Sequence, residues 1–339
     1  MQEELSSARR FFLLVFVLVF LAICGAGAVG HRAHAADPMP LPVDVAGLPT
    51  TVAQPWLKVS DEQLLLEGPC FDREGNLYAT FGLGKIIKIT PDKKVSEVFH
   101  SETIMMDGLA IHKDGRIFAA CVSGEVVSIN ADGTGLVIRK PTWNGETLMP
   151  NDLAFDMNGN LYFTDFRGDP CNPIGGVYRL DASDDYHTIH LIAKGMAAAN
   201  GISFSPSGSG LWIAETFGNR IFRIDLQPDG LKPKPLAGII IAYRTIGYPA
   251  GPDSNRVDTA GNLYQAVSLQ GRVIILNQFG NPVANVIVPE RAEGKHLFTS
   301  NLAFRPGTNT AYLVTMGKGG AWIYTFPGLA PGLKLYSHQ

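Results

Sequence analysis

The sequence predicts an all-β chain, folded as a six-bladed β-propeller with four-stranded blades. One phrase recurs six times at intervals of 40 to 53 residues: an apolar strand, a turn with Gly or Asn, and a second apolar strand ending in small residues. A second hairpin phrase follows each copy, and no helical periodicity of useful length appears after residue 30.

The first phrase reads GPCFDREGNLYAT from Gly68, GLAIHKDGRIFAA from Gly108 and DLAFDMNGNLYFT from Asp152. It returns as GISFSPSGSGLWIAE from Gly201, SNRVDTAGNLYQA from Ser254 and NLAFRPGTNTAYLVT from Asn301. Turns such as Glu74-Gly75-Asn76 and Asn158-Gly159-Asn160 supply residues that accept positive φ at little cost. The second phrases, for example GKIIKITPD at Gly84 and GRVIILNQF at Gly271, are alternating or continuous β-branched runs closed by turn residues. Two hairpins per repeat make one four-stranded blade. A β-sandwich would not repeat one phrase six times.

Ahead of the repeats, residues 1–35 read as an export signal. Arg9 and Arg10 precede the uncharged apolar run Phe11 to Cys24, and Ala33-His34-Ala35 offers a small-x-small cleavage site. A retained membrane anchor is the alternative, and no second stretch is long enough to span a bilayer. The mature chain is therefore expected to be periplasmic or secreted, with no stable membrane partner once the segment is removed. Residues 36–60, with five prolines, read as an extended lead-in, and residues 61–339 as the propeller. The net charge of −3 leaves no basic footprint for nucleic acid. Cys70, Cys121 and Cys171 match no zinc spacing, and Cys70 and Cys121 read as buried free thiols in strands. A monomer is the default state.

The innermost strand of a blade lines the central channel. Aligning the phrases on Asp72, His112, Asp156, Ser205, Asp258 and Arg305 places Glu67, Asp107, Asn151, Asn200, Asp253 and Ser300 five residues earlier. Every one carries a side-chain oxygen, although each sits beside apolar strand residues. Oxygens converging on an axis suit a hard divalent cation, calcium above all, which takes roughly 6–8 oxygen ligands. Polar caps on strand starts would account for two or three of the six. The metal set expected is Glu67, Asn151, Asn200 and Asp253. Asp107 is a substrate contact or a neighbour of the ligands, and Ser300 is the weakest candidate.

Beyond these residues, TDFRG at Thr164, NPIGGVY at Asn172, AANGISFS at Ala198 and GPDS at Gly251 resemble the gluconolactonase/regucalcin (senescence marker protein) superfamily of calcium propellers, and most closely its drug-responsive lactonases. The likeness covers residues 61–339. It implies a metal-dependent lactonase, a carboxylic ester hydrolase acting on a small lactone or ester. It also implies a catalytic Ca2+, or another divalent cation, on Glu67, Asn151, Asn200 and Asp253, with Ser254 adjoining. Asp253 would exchange the proton. The drug-responsive enzymes have aspartate where Asn151 stands, whereas diisopropyl fluorophosphatases and paraoxonases have asparagine, so phosphotriesterase chemistry stays open. So does a ligand-binding propeller with a structural metal. Asp107 falls where the regucalcin branch has a substrate-contacting asparagine. A second, structural calcium would fall to Ser123, Asn144 and Glu146. Arg167 reads as an ion-pair partner of Asp165 or a substrate contact. Trp143, Tyr248 and His296 lie in inter-hairpin stretches, with His296 read as a solvated loop residue.

Overall fold

The computed structural model describes residues 40–247 and 251–339. The export-signal reading of residues 1–35 and the placement of Tyr248 fall outside them. The first blade is built from Leu66–Phe71, Leu77–Phe81, Lys85–Ile89 and Val95–His100, running from the axis outward. The second to fifth blades repeat this order, with innermost strands Met106–Ile111, Pro150–Phe155, Ala199–Phe204 and Gly251–Val257. Phe298–Phe304 is the innermost strand of the sixth blade. Each innermost strand packs against the next, and the sixth returns to the first, so the ring closes. Among the described residues, no helix is long and apolar enough to cross a membrane.

Local chemistry makes the hairpins. Asp72 turns its carboxylate onto the Asn76 backbone N–H at 2.8 Å and the Asn76 amide at 2.7 Å, with Gly75 between them at φ 82°. Asp156 with Asn160 and Asp258 with Asn262 repeat the motif. His112 occupies the matching place in the second blade and accepts from the Asp114 N–H. These residues therefore cap turns and leave the axis to the residues five positions earlier.

The apolar side chains form six cores, one between each pair of neighbouring blades, as with Cys70, Tyr78 and Ile86 against Leu109, Ile117 and Val127. Blades are thus covered on both faces, which is why so many strands read as continuous β-branched runs. Cys70 and Cys121 are buried free thiols, and Cys171 is an exposed one.

One boundary shifts. The proline-rich stretch expected to be a lead-in is extended but paired. Gln54–Ser60 is the outermost strand of the sixth blade, antiparallel to Gly320–Pro327, and Thr50–Val52 adds a parallel fifth strand to the fifth blade. The N-terminal segment thus supplies the outer strand of the last blade and closes the ring. Pro55 is tolerated because the strand lies at an edge, where its register slips between Pro55 and Leu57.

Candidate active site on the propeller axis

Every innermost strand breaks register at the same place. The irregularities fall between Glu67 and Cys70, Met106 and Leu109, Pro150 and Leu153, Ala199 and Ile202, Pro252 and Asn255, and Thr299 and Asn301. A bulge leaves a residue out of the ladder and re-aims its side chain. Here it releases Asp107, Asn151, Asn200 and Asp253, while Glu67, still in register with Thr80, stands at the edge of its bulge; all five are buried. Glycine beside them lets the strands close up. A Cβ on Gly201 would stand 2.6 Å from both the Asp253 carbonyl oxygen and the Ser254 Cα.

The side chains lock one another. Asn151 Nδ2 donates to Asp107 Oδ2 at 2.7 Å, which turns the Asn151 carbonyl oxygen away from Asp107. Asn200 Nδ2 donates to Thr216 Oγ1 at 3.1 Å, and the Asn200 oxygen accepts from Ser254 Oγ at 3.3 Å. Ser254 also donates to Glu67 Oε1 at 3.0 Å. Behind the side chains, hydroxyls from the neighbouring blade hold the inner strands' carbonyls. Thr80 donates to Asp107 O, Thr164 to Asn200 O and Thr216 to Pro252 O, at 2.6–2.9 Å.

Two participants lay beyond the sequence reading. In the sixth blade, Ser300 spends its hydroxyl on the Leu66 carbonyl, and it is Asn301 that reaches the cluster, donating to Glu67 Oε1 at 2.6 Å. In the third blade, the fully buried Asp152 pairs with Arg256 Nη1 of the fifth blade at 3.2 Å. Both residues follow the predicted axial position by one, the step that a bulge makes ambiguous.

Burial, with the Asp152 charge nearby, pushes the Glu67 carboxyl up to about 7 against the hydrogen bonds from Asn301 and Ser254. Burial and then the Glu67 charge hold Asp107 and Asp253 well above the usual carboxylate range. Glu67 Oε2 is buried with no hydrogen-bond partner. Among the described residues, no group of three or more His, Cys, Asp or Glu is set to hold a metal ion. The axial set is instead a mixture of carboxylate and amide oxygens. An orphaned carboxylate oxygen, two oriented amide oxygens and acids that resist ionising together fit a hard cation.

The peripheral candidates have other partners. Arg167 is paired with Asp165 at 3.0 Å and Glu146 at 3.1 Å, bracing the channel mouth. Ser123 donates to Glu125, and Glu146 pairs with Arg167 through one carboxylate oxygen. Asn144 forms the turn of the Thr142–Trp143/Glu146–Thr147 hairpin at φ 52°. His296 is buried, not solvated. It packs against Trp322 and Tyr324, and burial lowers its pKa.

Residues 136–317 match the profile of the SMP-30/Gluconolactonase/LRE-like region. The chain is 39% identical over 308 residues to the lactonase drp35 of Staphylococcus saprophyticus, covering 88% of this chain and 93% of that protein. It is 38% identical over 309 residues to the Staphylococcus aureus protein of the same name, covering 86% and 92%. Among solved structures, a regucalcin described as a calcium-binding protein from Agrobacterium tumefaciens superposes with a TM-score of 0.67 at 18% identity, over 85% of this chain and 99% of that one. A gluconolactonase from Xanthomonas campestris gives 0.65 at 21% identity, over 80% and 88%. These two share the fold. Together with the sequence relatives, the profile match shows that the chain belongs to the SMP-30/gluconolactonase/LRE-like family.

Proposed function

We propose that this chain is a calcium-dependent hydrolase that opens lactone rings, acting at the axial cluster of Glu67, Asn151, Asn200 and Asp253. The observation that carries the reading is the buried, partnerless Glu67 Oε2 among oriented amide oxygens, in a chain closely similar to proteins named lactonase. Calcium bound there would supply a Lewis acid for the lactone carbonyl.

The protein's own groups do the rest. Asp253 would take the proton of the attacking water and return it to the departing alkoxide, as a carboxylate beside the reacting carbonyl can. Asp107 and Thr216 keep the two amides turned so that their oxygens face the axis. Phe166 and Phe217, with ring centroids 5.6 Å apart, follow the second strands of their blades and offer an apolar rim to the substrate at that mouth. Ser254 ties Glu67 to Asn200, whether or not it ligates the cation itself.

The test is a panel of aliphatic and aromatic lactones, with phosphotriesters alongside because of Asn151, assayed before and after chelation. Chelator-sensitive lactone hydrolysis is expected. Its absence on every lactone overturns the reading. Asp253→Ala should abolish the rate with the fold retained, which separates catalysis from a purely structural metal. We also propose that the chain is exported, on the pattern of residues 1–35. N-terminal sequencing of the native protein should find Ala36 first, and a native chain retaining Arg9 overturns this.

A further inference from the structure

A cavity of about 270 Å³ lies at the other end of the channel, where the innermost strands run into their hairpin turns. Leu109, Ile111, Leu153, Ile202, Val257 and Phe304 are among its walls, and residues 333–338 of the C-terminal segment line it as well. The backbone of that segment is pinned by the Leu333 N–H on the Val257 carbonyl at 3.1 Å and by the Arg73 guanidinium on the Gln339 carbonyl at 2.6 Å. None of Glu67, Asp107, Asn151, Asn200 and Asp253 lines this chamber.

The donors in the chamber's wall are cationic, although Asp152 behind it answers the charge of Arg256. Arg256 lines it, and only its Nη1 is engaged, by Asp152 Oδ2 at 3.2 Å and the Asn255 carbonyl at 2.6 Å. Nε and Nη2 have no hydrogen-bond partner among the described residues. Lys334 adds an ammonium, whereas both ring nitrogens of His338 are spent, Nε2 on the Phe71 carbonyl at 3.3 Å and Nδ1 on the Leu335 N–H at 3.4 Å. The one carboxylate in the wall, Asp156, is consumed by its own turn, Oδ1 by the Asn158 and Asn160 N–H groups and Oδ2 by the Asn160 amide. Apolar walls around guanidinium donors select an anion with an apolar body, because the chain gains from burial and the head gains charge-assisted hydrogen bonds. The volume, just under the usual range of about 300–1,000 Å³ for ligand pockets, restricts the occupant to a small one.

We propose that this chamber is a second ligand site, separate from the axial cluster, that takes a small amphipathic carboxylate with its head at Arg256 and its chain among the apolar walls. The proposal does not depend on the cation or on lactone hydrolysis. It is tested by calorimetric titration of the purified protein at about pH 6 with octanoate and, as the neutral counterpart, 1-octanol. Octanoate should bind at one per chain, roughly tenfold or more tighter than octanol. Its affinity should be unchanged after the protein is stripped of metal. Ala154→Leu, which fills part of the chamber, should weaken octanoate by about the same factor. Removing the charge pair together, Arg256→Met with Asp152→Asn, should bring octanoate down to octanol and needs no change in the walls. Equal binding of acid and alcohol, loss of binding with the metal, or no saturable binding at all overturns the proposal.

Discussion

Stripping the cation should make the protein's stability depend on pH in a direction that the structure dictates. Burial raises the Glu67 carboxyl from an ordinary 4.5 to about 7 in the folded chain. A raised acid binds more protons folded than unfolded. Its contribution is therefore fully present below pH 4.5 and lost as the pH climbs through 7. The shift corresponds to about 3 kcal/mol. Asp107 and Asp253 shift the same way for the same reason and add to it. A bound cation reverses the logic, because it favours the ionised carboxylates and stabilises the fold by mass action. The gap in melting temperature between calcium-loaded and stripped protein should therefore widen from pH 5.5 to pH 8. About 2 kcal/mol of the Glu67 contribution is lost between pH 5.5 and pH 8, so at roughly 2 °C per kcal/mol for a chain of this size Glu67 alone contributes about 4 °C. Scanning fluorimetry on desalted protein with and without added calcium measures it. A gap that stays constant or narrows with rising pH refutes the claim that these acids carry their charge opposite a cation.

Four further outcomes follow from the same geometry. Glu67→Gln removes the orphaned carboxylate charge, so calorimetry should show calcium affinity falling about a hundredfold, while stripped protein gains stability at pH 8. Ser254→Ala deletes the donor shared by Glu67 and Asn200 and should cost about 1–2 kcal/mol in denaturant unfolding of the loaded protein. Gly201→Ala drives a Cβ into the Asp253 backbone and should cost about 2 kcal/mol or more with weakened calcium binding, both read by thermal shift. Phe217→Ala should raise KM for aromatic lactones with kcat little changed, since the ring lies at the rim and makes none of the axial hydrogen bonds.

The ring of blades is legible in the sequence because every blade solves the same problem. Each needs a tight turn, two covered faces and an inner strand, so the same residue types return at the same offsets. Closure is not legible in that way. The strand Gln54–Ser60 contains a proline, is mostly half-exposed and pairs with residues near the far end of the chain. Nothing in its own pattern says that it belongs to the last blade. His296 misleads for a related reason. Glycine and charge surround it in sequence, and only the return of Trp322 and Tyr324 from the next hairpin buries it.

The axial cluster separates what an offset can reveal from what it cannot. Counting back from the turn finds the bulge in all six strands, and in five of them the residue found brings its own oxygen into the buried cluster. A bulge, however, places two residues of one strand opposite one of its neighbour, and the count alone does not say which of the two turns inward. In the fifth blade both matter, Asp253 by its carboxyl and Ser254 by its hydroxyl. In the sixth the roles pass entirely to the second residue, Asn301, because Ser300 is needed to cap the Leu66 carbonyl where the first and last blades meet. In the third the second residue is Asp152, whose charge bears on Glu67, Asp107 and Asp253 and is answered from across the channel by Arg256. The chemistry of the axis is thus carried by two consecutive layers of residues. The first is readable from the repeat, and the second only from the way each blade spends its bulge.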